Sequence, residues 1–193
     1  MPNNKVKVDM SLKSIIQTPL DDSDIKKYIP NVKILKYSDL KSYNSIDKLL
    51  SPFNPYCILL YESSPNNGHW VCLLRYRPDN SEDEIIEYFD SYGNEPDEPL
   101  TWIDDSTRRE LGYDECYLTD MFDKIRQEVI YNDYKYQKEK KDINNCGRYC
   151  VLRILLNKKR GYDLEQFHTF MKDLKEDWKD NYDEVVSKII DLV

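Results

Sequence analysis

The sequence predicts an α+β fold in which helices pack a small mixed, mostly antiparallel sheet. Three short apolar runs lie close together between residues 56 and 89 of the 193-residue chain, a pattern typical of neighbouring buried strands. From residue 146 onward, apolar residues recur at spacings of three and four, which is typical of amphipathic helices. Because the length suits one globular unit and no repeat divides the chain, we expect a single domain over residues 1–193.

The composition favours a globular intracellular protein. Hydrophobic residues make up 40% of the chain, enough for a core, and the formal net charge of -8 argues against a broad nucleic-acid-binding surface. The polar N-terminus lacks the apolar segment of a signal peptide, and no apolar run has the length of a membrane span. Five cysteines without a Cys-x-x-Cys pair, and only two histidines, favour reduced thiols over a disulfide framework or a zinc site.

The first part of the chain is predicted to carry no catalytic groups. Residues 1–10 suggest a loose arm or a short edge strand, and from 11 to about 50 the pattern is helical and interrupted by prolines. We expect this part to cover the core or to shape a substrate groove.

Three strands are predicted next, at Tyr56–Tyr61, His69–Tyr76 and Glu84–Phe89. A loop rich in Pro, Asn and Gly over Ser63–Gly68 joins the first two, and a polar turn over 77–83 joins the second pair. Strands joined by a short polar turn form an antiparallel hairpin.

That hairpin is predicted to bring His69 and Asp90 together. His69 begins one strand and Asp90 follows the next, so 90 − 69 = 21 residues of sequence separation become proximity at one end of the hairpin. A carboxylate that accepts from one imidazole nitrogen fixes the tautomer and stabilises the imidazolium. The alternatives are a surface or core histidine and an aspartate that serves only the turn before Gly93. His168 is the competing base.

Between the hairpin and the last helices we expect mostly surface structure. An acidic, proline-containing segment over 94–112 is interpreted as a solvated loop, with a lid as the alternative. A helix over about 113–127 and a strand at Glu128–Tyr131 follow, and then a polar loop over 134–141.

A helix is predicted to begin at Cys146. Asn145 favours a helix N-cap, where its side chain would accept from free backbone N–H groups. A sulfur at the positive end of a helix has a lowered pKa. Gly147 removes a side chain behind the sulfur, so that a substrate carbonyl can approach the backbone. Amphipathic helices over about 164–174 and 178–189 follow.

These residues include the groups that a cysteine nucleophile needs: a base, a group that orients the base, and donors for the oxyanion. We interpret Cys146 as the nucleophile, His69 as the base and Asp90 as its partner. Gln137, nine residues earlier (146 − 137 = 9), can reach the oxyanion, and Trp70 can pack beside the imidazole or the substrate. The structural alternatives are a buried small residue, an exposed glutamine and a core aromatic.

Four motifs in this order carry a family resemblance: Gly68–Trp70, Phe89–Gly93, Gln137 and Asn145–Gly147. They resemble the adenain family of viral cysteine proteases and the related proteases that remove ubiquitin-like modifiers. Within that group, the chain is most similar to maturation proteases of virophages, Polinton-type elements and large DNA viruses. The motifs span roughly residues 55–157.

The resemblance implies a papain-type α+β fold with a permuted catalytic order, in which His and Asp precede Cys. It assigns His69 as base, Asp90 as its partner, Cys146 as nucleophile and Gln137 as oxyanion donor, with no metal or other cofactor. The implied reaction is endopeptidase cleavage of capsid or scaffold precursors during virion maturation, next to small residues such as Gly. Adenain is activated by DNA and a peptide, but the acidic charge here argues against a DNA cofactor.

We therefore expect a monomeric enzyme in the cytoplasmic viral factory of a host cell, packaged with the virion, whose partner is a protein substrate and not a membrane. One alternative is a protease that processes ubiquitin or a ubiquitin-like modifier. The other is a catalytically silent binding module on the same fold.

Overall fold

The computed structural model describes residues 12–79 and 81–191, and the predicted N-terminal arm lies outside them. The strands are β1 (Lys33–Lys36), β2 (Tyr56–Ser64), β3 (Asn67–Tyr76), β4 (Ile85–Phe89) and β5 (Glu128–Tyr131). The helices are α1 (12–17), α2 (Asp22–Tyr28), α3 (Ile46–Leu49), α4 (Asp105–Leu111), α5 (Tyr117–Phe122), α6 (Cys146–Arg160), α7 (Leu164–Trp178) and α8 (Tyr182–Asp191), with 3-10 helices at Tyr37–Ser42 and Glu98–Trp102.

The five strands form one mixed sheet in the order β1-β2-β3-β4-β5. The two central pairings, β2 with β3 and β3 with β4, are antiparallel, whereas β1 and β5 join the edges in parallel. The predicted α+β class with a mixed sheet is therefore confirmed, with parallel pairing at both edges.

Helices cover both faces of the sheet, which explains why β2 and β3 are continuously apolar instead of alternating. On one face, Ile58, Leu60, Trp70 and Cys72 pack against α2 and the C-terminal helices α6 to α8. On the other face, the intervening residues of β2 and β3 pack against the short helices that lie between residues 37 and 122. Among the described residues, no helix has both the length and the apolar character needed to cross a bilayer.

Four element predictions were wrong. The helical interpretation of 11 to about 50 missed β1, because a four-residue strand is too short to show a period of its own. The segment 94–112 contains a 3-10 helix and α4, and the helix predicted over 113–127 is confined to Tyr117–Phe122. The loop predicted over Ser63–Gly68 is a tight turn, since β2 continues to residue 64 and β3 begins at residue 67.

A buried ion pair fixes α6 against the centre of the sheet. The Nε and Nη2 atoms of Arg153 each donate to one oxygen of Glu87 on β4, both at 2.6 Å, and both side chains are fully buried. Tyr76 on β3 adds a hydrogen bond to the same carboxylate at 2.6 Å. A paired, bidentate geometry offsets the cost of burying these charges and fixes how α6 lies on the sheet.

Candidate active site

The hairpin brings His69 and Asp90 into contact. Cys72 of β3 pairs with Phe89 of β4, and this register places His69 and Asp90 at the same end of the two strands. The Nε2 atom of His69 lies 2.8 Å from Oδ1 of Asp90, and both side chains are buried. The proximity predicted from the sequence is present in the structure.

Asp90 is held by donors on every side. Its Oδ1 accepts from the backbone N–H of Tyr92 at 2.8 Å, and its Oδ2 accepts from Nδ2 of Asn94 at 3.1 Å. Gly93 closes the turn at φ 74°, and a Cβ there would lie 2.8 Å from the carbonyl oxygen of Asp133. Asp90 therefore serves the turn and the imidazole at once, so the two interpretations made from the sequence are compatible.

Cys146 is the first residue of α6, as predicted, but the cap differs from the expectation. Asn145 occupies the N-cap position without a side-chain cap bond. Its amide instead donates to the backbone and side-chain oxygens of Asp183, at 3.2 and 3.3 Å, and its Oδ1 accepts from Ser187. The capping prediction was wrong because α8 packs against this end of α6 and offers stronger partners. Asn145 consequently leaves the first-turn N–H groups uncapped.

The pKa values of the cysteine and histidine move in opposite directions. Burial alone lowers the pKa of His69, but the charge and hydrogen bond of Asp90, together with the sulfur of Cys146, raise it to about 10. Burial alone raises the pKa of Cys146, but the His69 side chain and the backbone N–H groups of Trp70 and Gly147 lower it below the ordinary thiol value. Since Nε2 of His69 faces Asp90, the other ring nitrogen, Nδ1, is the one that can interact with the sulfur of Cys146. These directions favour a thiolate–imidazolium pair.

Gln137 lies in the cavity beside the cysteine, but its amide is fully engaged. It is 4% exposed, unlike the exposed glutamine of the alternative interpretation. Its Nε2 donates to the hydroxyl of Tyr92 at 3.0 Å and to the carbonyl oxygen of Ile143 at 3.3 Å, and its Oε1 accepts from Ser91 at 3.0 Å. The structure thus brings Gln137 to the site without a free amide hydrogen.

Trp70 and Gly147 pack against each other behind the cysteine. The indole N–H of Trp70 donates to the carbonyl oxygen of Leu20 at 3.1 Å. A Cβ added to Gly147 would lie 3.3 Å from both Leu20 and Trp70. A side chain at this position would crowd Leu20 and Trp70, so the small size of the glycine serves protein packing, and the predicted access for a substrate carbonyl stays a prediction. Trp70 does line a cavity beside Cys146, as required for a substrate contact.

Two aromatic residues without a role in the sequence interpretation complete the site. The ring of Tyr92 stacks on the imidazole of His69 at 4.7 Å, and the ring of Trp102 lies 5.6 Å from it. Tyr92 lies in the same sequence motif as Asp90, so its position near the site could have been predicted from the sequence. No sequence motif indicated the position of Trp102, whose 3-10 helix lies in a segment that we interpreted as a solvated loop.

His168 lies away from this cluster. It is on α7, hydrogen-bonds the hydroxyl of Tyr136 and stacks on that ring at 5.6 Å. Burial lowers its pKa, which favours the neutral form of the imidazole. Of the two histidines, the structure brings His69 to the cysteine.

Two cavities flank Cys146 and share its rim residues Asn67, Gly68 and Asn144. One, of about 670 Å³, is lined by the side chains around the imidazole. The other, of about 950 Å³, lies beside Trp70 and the segment 18–24. The sulfur therefore lies at the border of two cavities.

Comparisons with known proteins give one relative of high similarity. The chain is 37% identical over 179 residues to the uncharacterized protein V9 of Sputnik virophage, covering 92% of this chain and 97% of that protein. No protein-family model matches.

Solved structures give weaker likenesses. In two crystal structures of the ASFV pS273R protease the match covers 66% and 82% of this chain and 49% and 71% of that chain, at 15% identity and TM-scores of 0.38 and 0.41. The central domain of Lpg1148 from Legionella pneumophila matches 88% of this chain and 95% of that domain, at 15% identity and a TM-score of 0.38. TM-scores this low do not establish a shared fold.

Proposed function

We propose that this chain, which belongs to the family of the Sputnik virophage protein V9, is a cysteine protease with Cys146 as its nucleophile. The relative is itself uncharacterized, so the proposal depends on the site. The observation that carries it is the buried His69, placed between the Asp90 carboxylate and the Cys146 sulfur at the start of α6.

The proposed reaction is acyl transfer. The thiolate of Cys146 forms a bond to the peptide carbonyl carbon, and the π electrons of the carbonyl move onto its oxygen. When the carbonyl reforms, the C–N bond breaks and the leaving nitrogen takes the proton of the His69 imidazolium. Water then attacks the thioester, with His69 as base, and releases the acid and the thiol. Asp90 stabilises the imidazolium throughout and fixes the ring nitrogen that faces the sulfur.

The proposed substrates are capsid or scaffold precursors that are cut during virion maturation in the host-cell viral factory. The virophage relative supports a viral substrate over a cellular modifier. We propose cleavage next to small residues such as Gly from the family resemblance of the four motifs. We propose that the enzyme acts as a monomer without a DNA cofactor.

Labelling by a thiol-alkylating probe tests the nucleophile and its base. With a limited amount of iodoacetamide near neutral pH, we expect peptide mapping to find the label on Cys146 in the wild type. Cys146→Ala should lose this label, and His69→Ala should react much more slowly, because its thiol has no imidazolium partner.

Matched controls are available for both residues. Cys116 is the exposed cysteine, and burial and nearby Asp97 raise its pKa, so Cys116→Ala should leave the labelling unchanged. His168→Ala should also react like the wild type. Equal rates for His69→Ala and the wild type would contradict the assignment of the base.

Cleavage of natural substrates tests the substrate class. Capsid and scaffold proteins encoded by the same genome should acquire new termini when incubated with the wild type, but not with Cys146→Ala. Release of a C-terminal reporter from folded ubiquitin, without cleavage of the capsid proteins, would favour the deconjugating alternative.

A further inference from the structure

The hydroxyl of Tyr92 lies in the cavity beside Cys146, within hydrogen-bond distance of the Gln137 amide. Nε2 of Gln137, the amide expected to reach the oxyanion, lies 3.0 Å from this hydroxyl. Tyr92, Gln137, His69 and Cys146 all line the same cavity. Both the tyrosine and the glutamine therefore line the cavity that opens beside the sulfur.

The hydrogen bonds around Gln137 determine which group can donate a further hydrogen bond. An amide nitrogen carries two hydrogens. In Gln137 one is directed to Tyr92 and the other to the carbonyl oxygen of Ile143, while Ser91 holds Oε1 and so fixes the orientation of the amide. The Tyr92 hydroxyl accepts from Gln137, and within residues 12–79 and 81–191 it donates to no side chain or backbone oxygen.

Accepting a hydrogen bond strengthens a hydroxyl as a donor, because the two bonds polarise each other. Burial and the neighbouring Cys146 raise the pKa of Tyr92 well above its ordinary value, so the hydroxyl keeps its proton at neutral pH. The position of the ring is also fixed. It stacks on His69 at 4.7 Å with an interplanar angle of 25°, and its backbone N–H binds Asp90 at 2.8 Å.

We propose that Tyr92 is a catalytic residue whose hydroxyl donates to the oxyanion, and that Gln137 is a positioning residue that holds and polarises it. This inference depends on the proposed protease function. When the Cys146 thiolate bonds to the carbonyl carbon, the negative oxygen accepts from the Tyr92 O–H and from the Cys146 N–H at the start of α6. The tyrosine keeps its proton, and the oxygen returns its electron pair when the C–N bond breaks.

Two reactions of the same sulfur separate this role from a structural one. Acylation by p-nitrophenyl acetate passes through a tetrahedral oxyanion, whereas alkylation by iodoacetamide does not. Tyr92→Phe keeps the ring on His69 and removes only the hydroxyl. We expect it to slow acylation by roughly 10²-fold, the usual effect of losing one oxyanion donor, and to leave alkylation within about twofold of wild type.

Gln137→Ala supplies the second measurement. If Gln137 acts through Tyr92, adding Gln137→Ala to Tyr92→Phe should cause little further loss of acylation. Wild-type acylation in Tyr92→Phe together with slow acylation in Gln137→Ala would overturn the inference in favour of direct donation by the glutamine. A parallel loss of alkylation in Tyr92→Phe would also overturn it, because the tyrosine would then act on the thiolate. A wild-type protein that is alkylated at Cys146 but not acylated would overturn the protease function and this inference with it.

Discussion

Replacing Asp90 by Asn tests the electrostatics of the site most directly. The substitution keeps the size of the side chain and an oxygen that can accept from His69, and it removes only the negative charge. Asp90 is fully buried, and its oxygens accept from His69, Tyr92 and Asn94, so its charge is weakly screened by solvent.

The magnitude follows from the pKa of His69. This pKa is about 10 instead of 6.5, a difference of about 3.5 pH units or about 5 kcal/mol in favour of the imidazolium. This net shift combines the charge and hydrogen bond of Asp90 and the sulfur of Cys146, which raise the pKa, with burial, which lowers it. A hydrogen bond to a charged group is about twice as strong as one between neutral groups, so Asn should forfeit about half of the Asp90 contribution. A loss of about 2 to 3 kcal/mol lowers the population of the thiolate–imidazolium pair by up to roughly 10²-fold.

The assay is the pH dependence of Cys146 alkylation by iodoacetamide, from about pH 5 to about pH 10. The wild-type rate should stay high well below the ordinary pKa of a thiol, because the imidazolium stabilises the thiolate. The Asp90→Asn rate should be up to roughly 10²-fold lower at about pH 6.5 and should approach the wild-type rate at the alkaline end.

Asp173→Asn removes an exposed carboxylate on α7 and should reproduce the wild-type profile. Thermal unfolding checks that Asp90→Asn is folded. A folded Asp90→Asn protein whose profile coincides with that of the wild type would refute the role assigned to the Asp90 charge.

Four further outcomes are expected. Gly68→Ala should lower the free energy of unfolding by more than about 3 kcal/mol in urea titrations, because the added Cβ would lie 1.9 Å from a backbone oxygen. Gly112→Ala is the control: this glycine has φ 73° and its Cβ would face a flexible lysine side chain, so the loss should be about 1 kcal/mol. Arg153→Met should cost about 3–5 kcal/mol in the same titrations, because it leaves its buried carboxylate partner unpaired. In Cys146→Ala, the charge and hydrogen bond of Asp90 still act to raise the pKa of His69. A raised pKa contributes stability that is complete below about pH 6.5 and is lost as the pH rises through the folded value. The melting temperature should therefore fall over that alkaline range, and less so when His69 is also replaced by Gln. Added duplex DNA should change the acylation rate by less than about twofold, because the net charge of -8 disfavours phosphate binding, and an activation that saturates with DNA would contradict this.

The central hairpin was predictable because its information is local. Apolar runs on both sides of a polar turn specify two antiparallel strands, and antiparallel pairing alone places the start of one strand beside the end of the other. His69 and Asp90 could thus be paired from sequence. Helix α6 and its start at Cys146 could also be predicted from the sequence, because a run of fifteen residues shows a helical period clearly.

The failures share a different cause. Strand β1 has only four residues and is a strand because β2 offers it a parallel partner. The capping prediction for Asn145 failed because Asp183 and Ser187, about forty residues away in sequence, compete for its side chain. Each of these outcomes depends on a partner that is remote along the chain, and local propensity carries no information about such a partner.

The sequence by itself determined the chemistry that is available: a thiol at a helix start, and an imidazole and a carboxylate at one end of a hairpin. Only the tertiary structure decided which side-chain hydrogens remain available to donate a hydrogen bond. It commits both amide hydrogens of Gln137, leaves the Tyr92 hydroxyl with a proton to donate and places Trp102 beside the imidazole. The physical reason is that hydrogen bonds saturate: each donor has a fixed number of hydrogens, and only the packing of distant segments shows where they are used.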